Sequence, residues 1–495
     1  MTFRLRVKKD MTKKDIISEL DPLFYPRGIA VVGVSESPLK IGTMTLLSII
    51  TGGFEGGIYP VHPKADNILG LTVCPNFKSL PDDTDLVVVC VPASAVPSVI
   101  EDSVDAGIRA AVIISSGFAE VGKDGKRLQD EVLKIARDGG MRFVGPNCMG
   151  ICNSSVKLHA LMNMMMPIAG NISFVSQSGT LGTMNMLIAS SYGVGFNKFV
   201  SSGNEADIKT EELIEYFAND PDTKVILSFI EGIRDGRKFF RVSKDATKKK
   251  PFIVLKAGMT SAGAKAASSH TSALAGSSVI NDAAFKQAGI VRAGNGSEML
   301  DLVKAFSLLP PLSGRKVGIL TAGGGSGVLT ADACEKYGLK VHNLSNEIIE
   351  ELNQFLPSFW SHGNPIDITA SGMFGAAGFS SITRCLDTML QSDDIDGMIT
   401  MSFDFLDMFD TIFSRFQPEN KSSTTEIASI ITPFMNGLTD DLVSVCKRYD
   451  KPVVAMGTSG CGLMESYGIP SYDDPSQAAF VLSKLAEYKE YLEKQ

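Results

Sequence analysis

The sequence predicts an α/β protein built from three parallel-sheet units. Short, fully apolar runs recur along the chain, each followed by a turn rich in glycine or serine and then by a helical pattern. The chain has 495 residues, 44% of them hydrophobic, which suffices for three ordinary domains with their own cores. Forty-seven glycines punctuate these runs. Strands alternating with helices imply a parallel sheet, and such sheets bind ligands at the C-terminal ends of their strands.

Composition narrows the function classes. The net charge is -8 with both signs interspersed, which argues against nucleic acid as the main partner. The eight cysteines lack C-x-x-C spacing, so free thiols in a reducing, cytoplasmic setting are expected. The five histidines show no metal-ligand spacing, and no metal site is expected. No stretch approaches a membrane span, and the basic N-terminus lacks the apolar segment of a secretory signal.

Residues 1–20 read as a polar lead-in, and a first unit is expected over 21–160. Arg27–Val34 is an apolar strand running into a glycine turn, with a helix to follow through Met44–Thr51. Backbone N–H groups at such a helix start can hold phosphate. The loop lacks G-x-G-x-x-G, and the second strand, Gly57–Val61, leads to His62-Pro63-Lys64 where NAD binding needs an acid. That points to a phosphorylated adenine ligand other than NAD, with NADP left open. Further strands are read at Asp85–Pro92 and Ala110–Gly117 and in Arg142–Gly150, the last within Gly-Pro-Asn-Cys-Met-Gly. The methionines of Met162–Met166 read as interdomain packing or as a pocket wall.

A second unit is expected over 168–309. Its first strand ends at Val175, and Ser176, Ser178, Gly179 and Thr180 open a helix, either as an anion site or as ordinary capping. The strand Val225–Ile230 ends in Glu231, and Pro251–Lys256 leads into a segment rich in Ala, Gly and Ser that carries His270. That segment reads as a swinging loop with hinges at Gly258, Gly263 and Gly276. Glu231 at the strand end suits an acceptor for one nitrogen of His270, leaving the other as nucleophile; a salt bridge to Arg234 or Arg237 is the alternative. Pro310-Pro311 marks a linker, and the third unit, 313–495, opens with Lys316–Thr330, which repeats the strand–glycine turn–helix design at Gly324, Gly325, Ser326 and Gly327.

The order of these pieces resembles the alpha subunit of the NDP-forming acyl-CoA synthetases, in the succinyl-CoA synthetase superfamily. Ser269-His270-Thr271-Ser272-Ala273-Leu274-Ala275-Gly276 is similar to that family's phosphohistidine motif, with Ser272 where glycine is usual. Gly145–Gly150, Ser176–Thr180, Gly324–Gly327 and Asn364-Pro365-Ile366-Asp367 match further family motifs. The resemblance implies a Rossmann-like CoA-binding domain followed by two flavodoxin-like domains. It implies that acyl-CoA, phosphate and ADP are reversibly converted to carboxylic acid, CoA and ATP, through an acyl phosphate and a phosphohistidine at His270 oriented by Glu231.

The same resemblance suggests CoA contacts at Gly33, Ser35, Ser37, Lys64, Val91, Pro92, Ser115, Ser116 and Glu120. It places the acyl site at Asn147, Cys148 and Met149, with Cys148 in a packing role. The phosphohistidine would rest between two helix starts, at Ser176–Thr180 and Gly324–Gly327. Fused members carry an ATP-grasp domain that this sequence lacks, so ATP, ADP and Mg2+ are expected on a separate beta subunit, in an α2β2 heterotetramer. Other classes consistent with the residues are a non-catalytic CoA-binding regulator and an NADP-dependent oxidoreductase.

Overall fold

The computed structural model describes residues 15–164, 166–270, 277–369, 376–401, 440–457 and 468–495. Most of the expected 1–20 lead-in lies outside the described residues, and the first element among those described is a helix. The Asp15 carboxylate caps α1 (Ile16–Phe24), and Leu20, Leu23 and Phe24 are fully buried. Ile16 and Ile17 pack against the same core from the first turn.

The first sheet contains β1 (Gly28–Val32), β2 (Gly57–Val61), β5 (Thr84–Val89), β6 (Ala110–Ile113) and β7 (Arg142–Val144), in the order β2-β1-β5-β6-β7. All of its pairings are parallel. A small hairpin of β3 (Asn67–Ile68) and β4 (Leu71–Thr72) lies outside it. The crossovers include α2 (Ile41–Gly52), α3 (Val96–Asp105) and α4 (Lys123–Asp138). β1, β5 and β6 are buried along their whole length, as expected of parallel strands covered on both faces.

The second sheet begins earlier than expected. β8 (Gly150–Asn153) and β9 (Leu158–Leu161) form an antiparallel hairpin, and β8 pairs with β11 (Phe196–Ser201) of the second sheet. Sheet membership therefore changes between β7 and β8, ahead of residue 160. The remaining strands are β10 (Ala169–Ser176), β12 (Val225–Ile230), β13 (Phe252–Lys256) and β14 (Val291–Ala293), giving the order β14-β13-β12-β10-β11-β8-β9. Its helices are α5 (Gly179–Ser191), α6 (Thr210–Asn219), α7 (Gly236–Thr247), α8 (Ser261–His270), α9 (Ser278–Ala288) and α10 (Gly296–Leu308).

The third sheet joins β15 (Lys316–Thr321), β16 (Lys340–Val341), β17 (Ile366–Asp367), β18 (Gly397–Met401), β19 (Val453–Met456) and β20 (Ser471–Tyr472). Described helices here are α11 (Gly324–Lys336), α12 (Asn346–Leu352), α13 (Ala376–Gln391) and the C-terminal helix Pro475–Glu493. The apolar interior crosses the unit boundaries. One buried cluster runs from Ile29 and Val88 of the first sheet to Val175, Val200 and Val254 of the second. Another joins Phe174 and Leu302 to Val317, Tyr472 and Leu485.

Candidate active site at the edge of the first sheet

A cavity of about 810 Å³ opens where the C-terminal ends of the first sheet's strands meet the start of α5. Twelve of the expected site residues line it: Gly33, Ser35, Val91, Pro92, Ser115, Ser116, Asn147, Cys148, Met149, Ser178, Gly179 and Thr180. The loops after β1, β5, β6 and β7 thus converge as the parallel topology requires. Its size lies in the range of pre-formed small-molecule sites.

Backbone packing explains the glycines. Gly33 has φ +92°, and a Cβ there would lie 2.4 Å from the Cys90 carbonyl oxygen. A Cβ on Gly42 would meet the Gly33 carbonyl at 2.3 Å, so the first turn of α2 sits directly on the β1 loop. Thr43 pins that loop, its hydroxyl accepting from Ser35 N–H at 3.0 Å and donating to Ser35 C=O at 2.8 Å. On the opposite side, Asn147 N–H donates to Ser115 C=O at 2.9 Å, and Ser115 Oγ donates to Val91 C=O at 2.5 Å. Three strand-end loops are thereby fixed to one another.

Cys148 lies against this floor. Its thiol donates to Ile113 C=O at 3.3 Å, and burial pushes its pKa up to about 12. A thiol held neutral in this way is a poor nucleophile at pH 7. Met149 carries the contact to the second unit: its N–H donates to Ser201 Oγ at 2.9 Å, and a Cβ on Gly179 would lie 2.2 Å from its Cγ. Glycine at the start of α5 is what lets that helix end approach the cavity.

No side chain caps α5 through its N-cap residue Ser178. Its first-turn N–H groups and the positive end of its dipole are therefore presented at the cavity, a favourable arrangement for a phosphoryl or carboxylate oxygen. Ser176 is buried beneath this turn, and its hydroxyl donates to Ser178 C=O at 2.6 Å. It shapes the turn and is not part of the cavity lining.

The third unit repeats the arrangement. Thr321 Oγ1 donates to Gly323 C=O at 3.1 Å, and α11 starts at Gly324 without a side-chain cap from Gly323. Gly324, Gly325 and Ser326 are exposed, and Asp367 Oδ2 lies 3.4 Å from where a Cβ on Gly324 would be. Of the two expected helix starts, the structure brings α5 to this cavity; Gly324, Gly325, Ser326 and Gly327 are not among its lining residues.

Gln177 is a site residue that the sequence reading passed over. It lines the cavity, and its side chain is bonded in four directions. Oε1 accepts from the N–H groups of Glu231 at 2.7 Å and Gly232 at 3.0 Å, and Nε2 donates to Gly232 C=O at 3.0 Å and to Glu205 Oε1 at 3.1 Å. Glu205 is buried and also accepts from Ser202 at 2.9 Å. Lys256, at the end of β13, donates to Glu231 C=O at 2.8 Å; burial holds its pKa below the usual lysine value, with the Glu231 carboxylate opposing that shift. The end of β12 is thus tied to the start of α5 and to the strand that delivers α8.

The segment expected as a swinging loop is helical over Ser261–His270. Its alanines, a strong helix-forming complement, account for the difference. His270 is the last residue of α8, and residues 271–276 of the same motif lie outside the described residues.

Three expected CoA contacts fall away from the lining. Ser37 is exposed on the β1 loop, its N–H 3.3 Å from Ser35 Oγ. Lys64 is exposed, with its backbone N–H on His62 Nδ1; the cation in the lining is Lys40, at the N-cap of α2. Glu120 accepts from Gly117 N–H at 2.5 Å and from Asn204 Nδ2 at 2.5 Å, and Asn204 accepts in turn from Asn147 at 3.3 Å. It stands one side chain behind the cavity. Burial raises its pKa, but these donors outweigh burial and leave it below the ordinary glutamate value. Met162 lines the cavity, while Met164 and Met166 are exposed.

Comparison with known proteins follows the same division. The CoA binding domain family matches residues 27–154, the succinyl-CoA ligase like flavodoxin domain family 169–306, and the Ligase-CoA domain family 317–387. The alpha subunit of acetate–CoA ligase (ADP-forming) II from Pyrococcus furiosus is 37% identical over 482 residues, covering 94% of this chain and 97% of that protein. The chain belongs to the ADP-forming acetate–CoA ligase alpha-subunit family.

The family also includes longer proteins. Acetate–CoA ligase (ADP-forming) from Methanocaldococcus jannaschii is 42% identical over 350 residues, and the match spans 49% of its length. Among solved structures, the dinucleotide-forming acetyl-coenzyme A synthetase 1 of Candidatus Korarchaeum cryptofilum, in complex with phosphate and ADP, is 33% identical with a TM-score of 0.83. The match covers 96% of this chain and 98% of that one. Membership in this ligase family supports CoA as a substrate and gives no support to the oxidoreductase reading.

Proposed function

We propose that this chain is the CoA-binding alpha subunit of an ADP-forming acyl-CoA synthetase, catalysing acyl-CoA + phosphate + ADP ⇌ carboxylic acid + CoA + ATP. The observation that carries this reading is the single cavity formed by four strand-end loops of the first sheet and by the uncapped start of α5. CoA lies along the loops of Gly33, Ser35, Val91, Pro92, Ser115 and Ser116. Its thioester reaches Asn147, Cys148 and Met149, where the N–H groups of Gly179 and Thr180 stand ready for the charge that develops when phosphate attacks the carbonyl. CoA leaves as thiol, and the phosphoryl group of the acyl phosphate passes to His270 as the carboxylate departs. Glu231, held by Gln177, orients that imidazole. Ser178 and Thr180 supply further contacts to the phosphoryl oxygens.

The nucleotide half-reaction is assigned to a partner. ATP, ADP and Mg2+ bind a separate ATP-grasp subunit, and the assembly is α2β2. Among the described residues, no group of three or more His, Cys, Asp or Glu side chains is placed to hold a metal ion. No helix among the described residues is long and apolar enough to cross a membrane, and the proposed compartment is the cytoplasm.

The test uses labelled phosphate with acetyl-CoA. Wild type is expected to acquire acid-labile, base-stable label, and His270→Ala is expected to acquire none. Absence of label on wild type would favour a non-catalytic CoA-binding role, and unchanged label on His270→Ala would remove the phosphohistidine.

A further inference from the structure

The turn after β11 carries two consecutive side chains, Asn204 and Glu205, that serve different parts of the site. Glu205 has φ +50°, in the left-handed region that a glutamate seldom enters. The turn is packed hard against the first unit. A Cβ on Gly203 would lie 2.4 Å from the Pro146 carbonyl oxygen and 2.6 Å from that of Asn147. Asn204 N–H donates to Pro146 C=O at 2.9 Å, Ala206 N–H donates to Gly145 C=O at 3.0 Å, and Arg234 Nη2 donates to Asn204 C=O at 3.0 Å. A sparsely populated backbone conformation held by its surroundings in this way points to a functional constraint.

Glu205 leads to Gln177, and through it to the loop of Glu231. Asn204 leads to the large cavity. Its Nδ2 gives one N–H to Glu120 Oε2 at 2.5 Å and the other to Gln129 Oε1 at 3.1 Å, so both donors are spent. Both of these partners are committed as acceptors. The other Glu120 oxygen takes the N–H groups of Gly117 at 2.5 Å and Phe118 at 3.1 Å, and Gln129 Oε1 also accepts from Ala119 N–H at 3.4 Å. The Asn204 amide therefore has one orientation, with Oδ1 accepting from Asn147 Nδ2 at 3.3 Å. That contact sets the next amide in turn: Asn147 gives its nitrogen to Asn204, and its oxygen occupies the opposite corner. Asn147, at φ +59°, lines the large cavity, whereas Asn204 does not. A carboxylate behind the wall thus dictates, through one intermediate amide, the polarity of the amide at the surface.

We propose that Asn204 is a positioning residue for the thioester step: by fixing the Asn147 amide it leaves Asn147 Oδ1 to accept an N–H of the pantetheine arm, which holds the thioester carbonyl against the start of α5. Glu205 plays the corresponding part for the histidine step, through Gln177 and Glu231. One turn of the second unit thus serves both half-reactions, with neighbouring side chains dividing them. The inference rests on the CoA reading of the cavity.

The experiment compares two routes to the label on His270. Acetyl-CoA with labelled phosphate runs through the thioester. Labelled acetyl phosphate bypasses it: an N–P bond forms on His270 as the P–O bond to acetate breaks, and CoA takes no part. Asn204→Asp keeps the side-chain shape but sets a carboxylate against Glu120 and Gln129. It is expected to slow labelling from acetyl-CoA by about tenfold or more and to leave the rate from acetyl phosphate unchanged. Asn204→Ser, which removes the amide without adding charge, is expected to act in the same direction. Adding Glu120→Gln to Asn204→Asp returns a donor to that contact while keeping an oxygen for the two backbone N–H groups, and is expected to restore most of the lost rate. Glu205→Gln is expected to slow both routes. Equal slowing of both routes by the Asn204 variants would mark a merely structural role and overturn the proposal, as would an unchanged rate from acetyl-CoA or a double variant no faster than Asn204→Asp alone. Wild-type label from acetyl phosphate but none from acetyl-CoA would remove the CoA reading itself, and the inference with it.

Discussion

The Gln177 side-chain amide grips the peptide between Glu231 and Gly232 from both sides, accepting from both N–H groups at 2.7 and 3.0 Å and donating to the Gly232 carbonyl at 3.0 Å. All its hydrogen-bonding capacity apart from one donor is spent on the end of β12, and that donor goes to Glu205. A residue beside the start of α5 thus fixes the position of the acid proposed to orient His270.

Gln177→Glu removes the donors and sets a second carboxylate against Glu205. Phosphohistidine formation is expected to slow by about tenfold or more, with stability lower by about 1–3 kcal/mol. Rapid-quench labelling beside CoA titration checks this. A large loss of CoA affinity with an unchanged labelling rate would instead make Gln177 a ligand contact.

Gly33 has both a positive φ and no room for a Cβ. Gly33→Ala is expected to cost about 1–3 kcal/mol of stability and to weaken CoA binding, because the β1 loop must shift away from Cys90. Chemical denaturation and CoA calorimetry read the two effects. A variant with native stability and native affinity contradicts the close packing described.

Cys148 gives a pH prediction. Its folded-state pKa, pushed up to about 12 by burial, exceeds the ~8.5 of a free thiol. The unfolded chain therefore gives up this proton first, and the stability contributed by the neutral thiol is fully present below pH ~8.5 and lost as the pH rises towards 12. Melting temperature is expected to fall across that window, less steeply in Cys148→Ala. The same variant is expected to retain phosphate labelling, whereas a covalent thioester on Cys148 would require its loss.

Arg142 is buried at the junction of α1, β7 and α6. It bonds Asp207 and Glu212, each at 2.9 Å, and pairs with Glu19. Arg142→Met removes one of two arginines on the fully buried Asp207, which keeps Arg137 and the Phe143 N–H, and a loss of about 1–3 kcal/mol is expected. Urea midpoints measure it, and a shift below 1 kcal/mol would assign the network to solvent screening.

Much of this was readable in advance, for physical reasons. β2 falls at Gly57–Val61, and β15 with the start of α11 falls within Lys316–Thr330, where the apolar runs and the glycine turn put them. The loops of Gly33, Val91, Ser115 and Asn147 converge because parallel topology forces strand ends to one edge. α1 was hidden because its apolar residues, Ile16, Ile17, Leu20, Leu23 and Phe24, are interrupted by Ser18, Glu19, Asp21 and a proline within the helix. The β8–β9 hairpin was hidden because pairing partners across a unit boundary leave no local pattern. Gln177 carries no signal of its own, since what defines it is contact with Glu231, fifty-four residues away. Lys64 attracted attention as the cation after β2, whereas tertiary packing brings Lys40 to the cavity.

The unbroken apolar interior running from Val88 through Val175 to Val254 has a mechanical consequence. The large cavity sits at a welded seam, so its two walls cannot part like jaws around a hinge without exposing oil to water. Traffic into and out of it must be handled by short stretches of chain at the rim, leaving the frame behind them stiff.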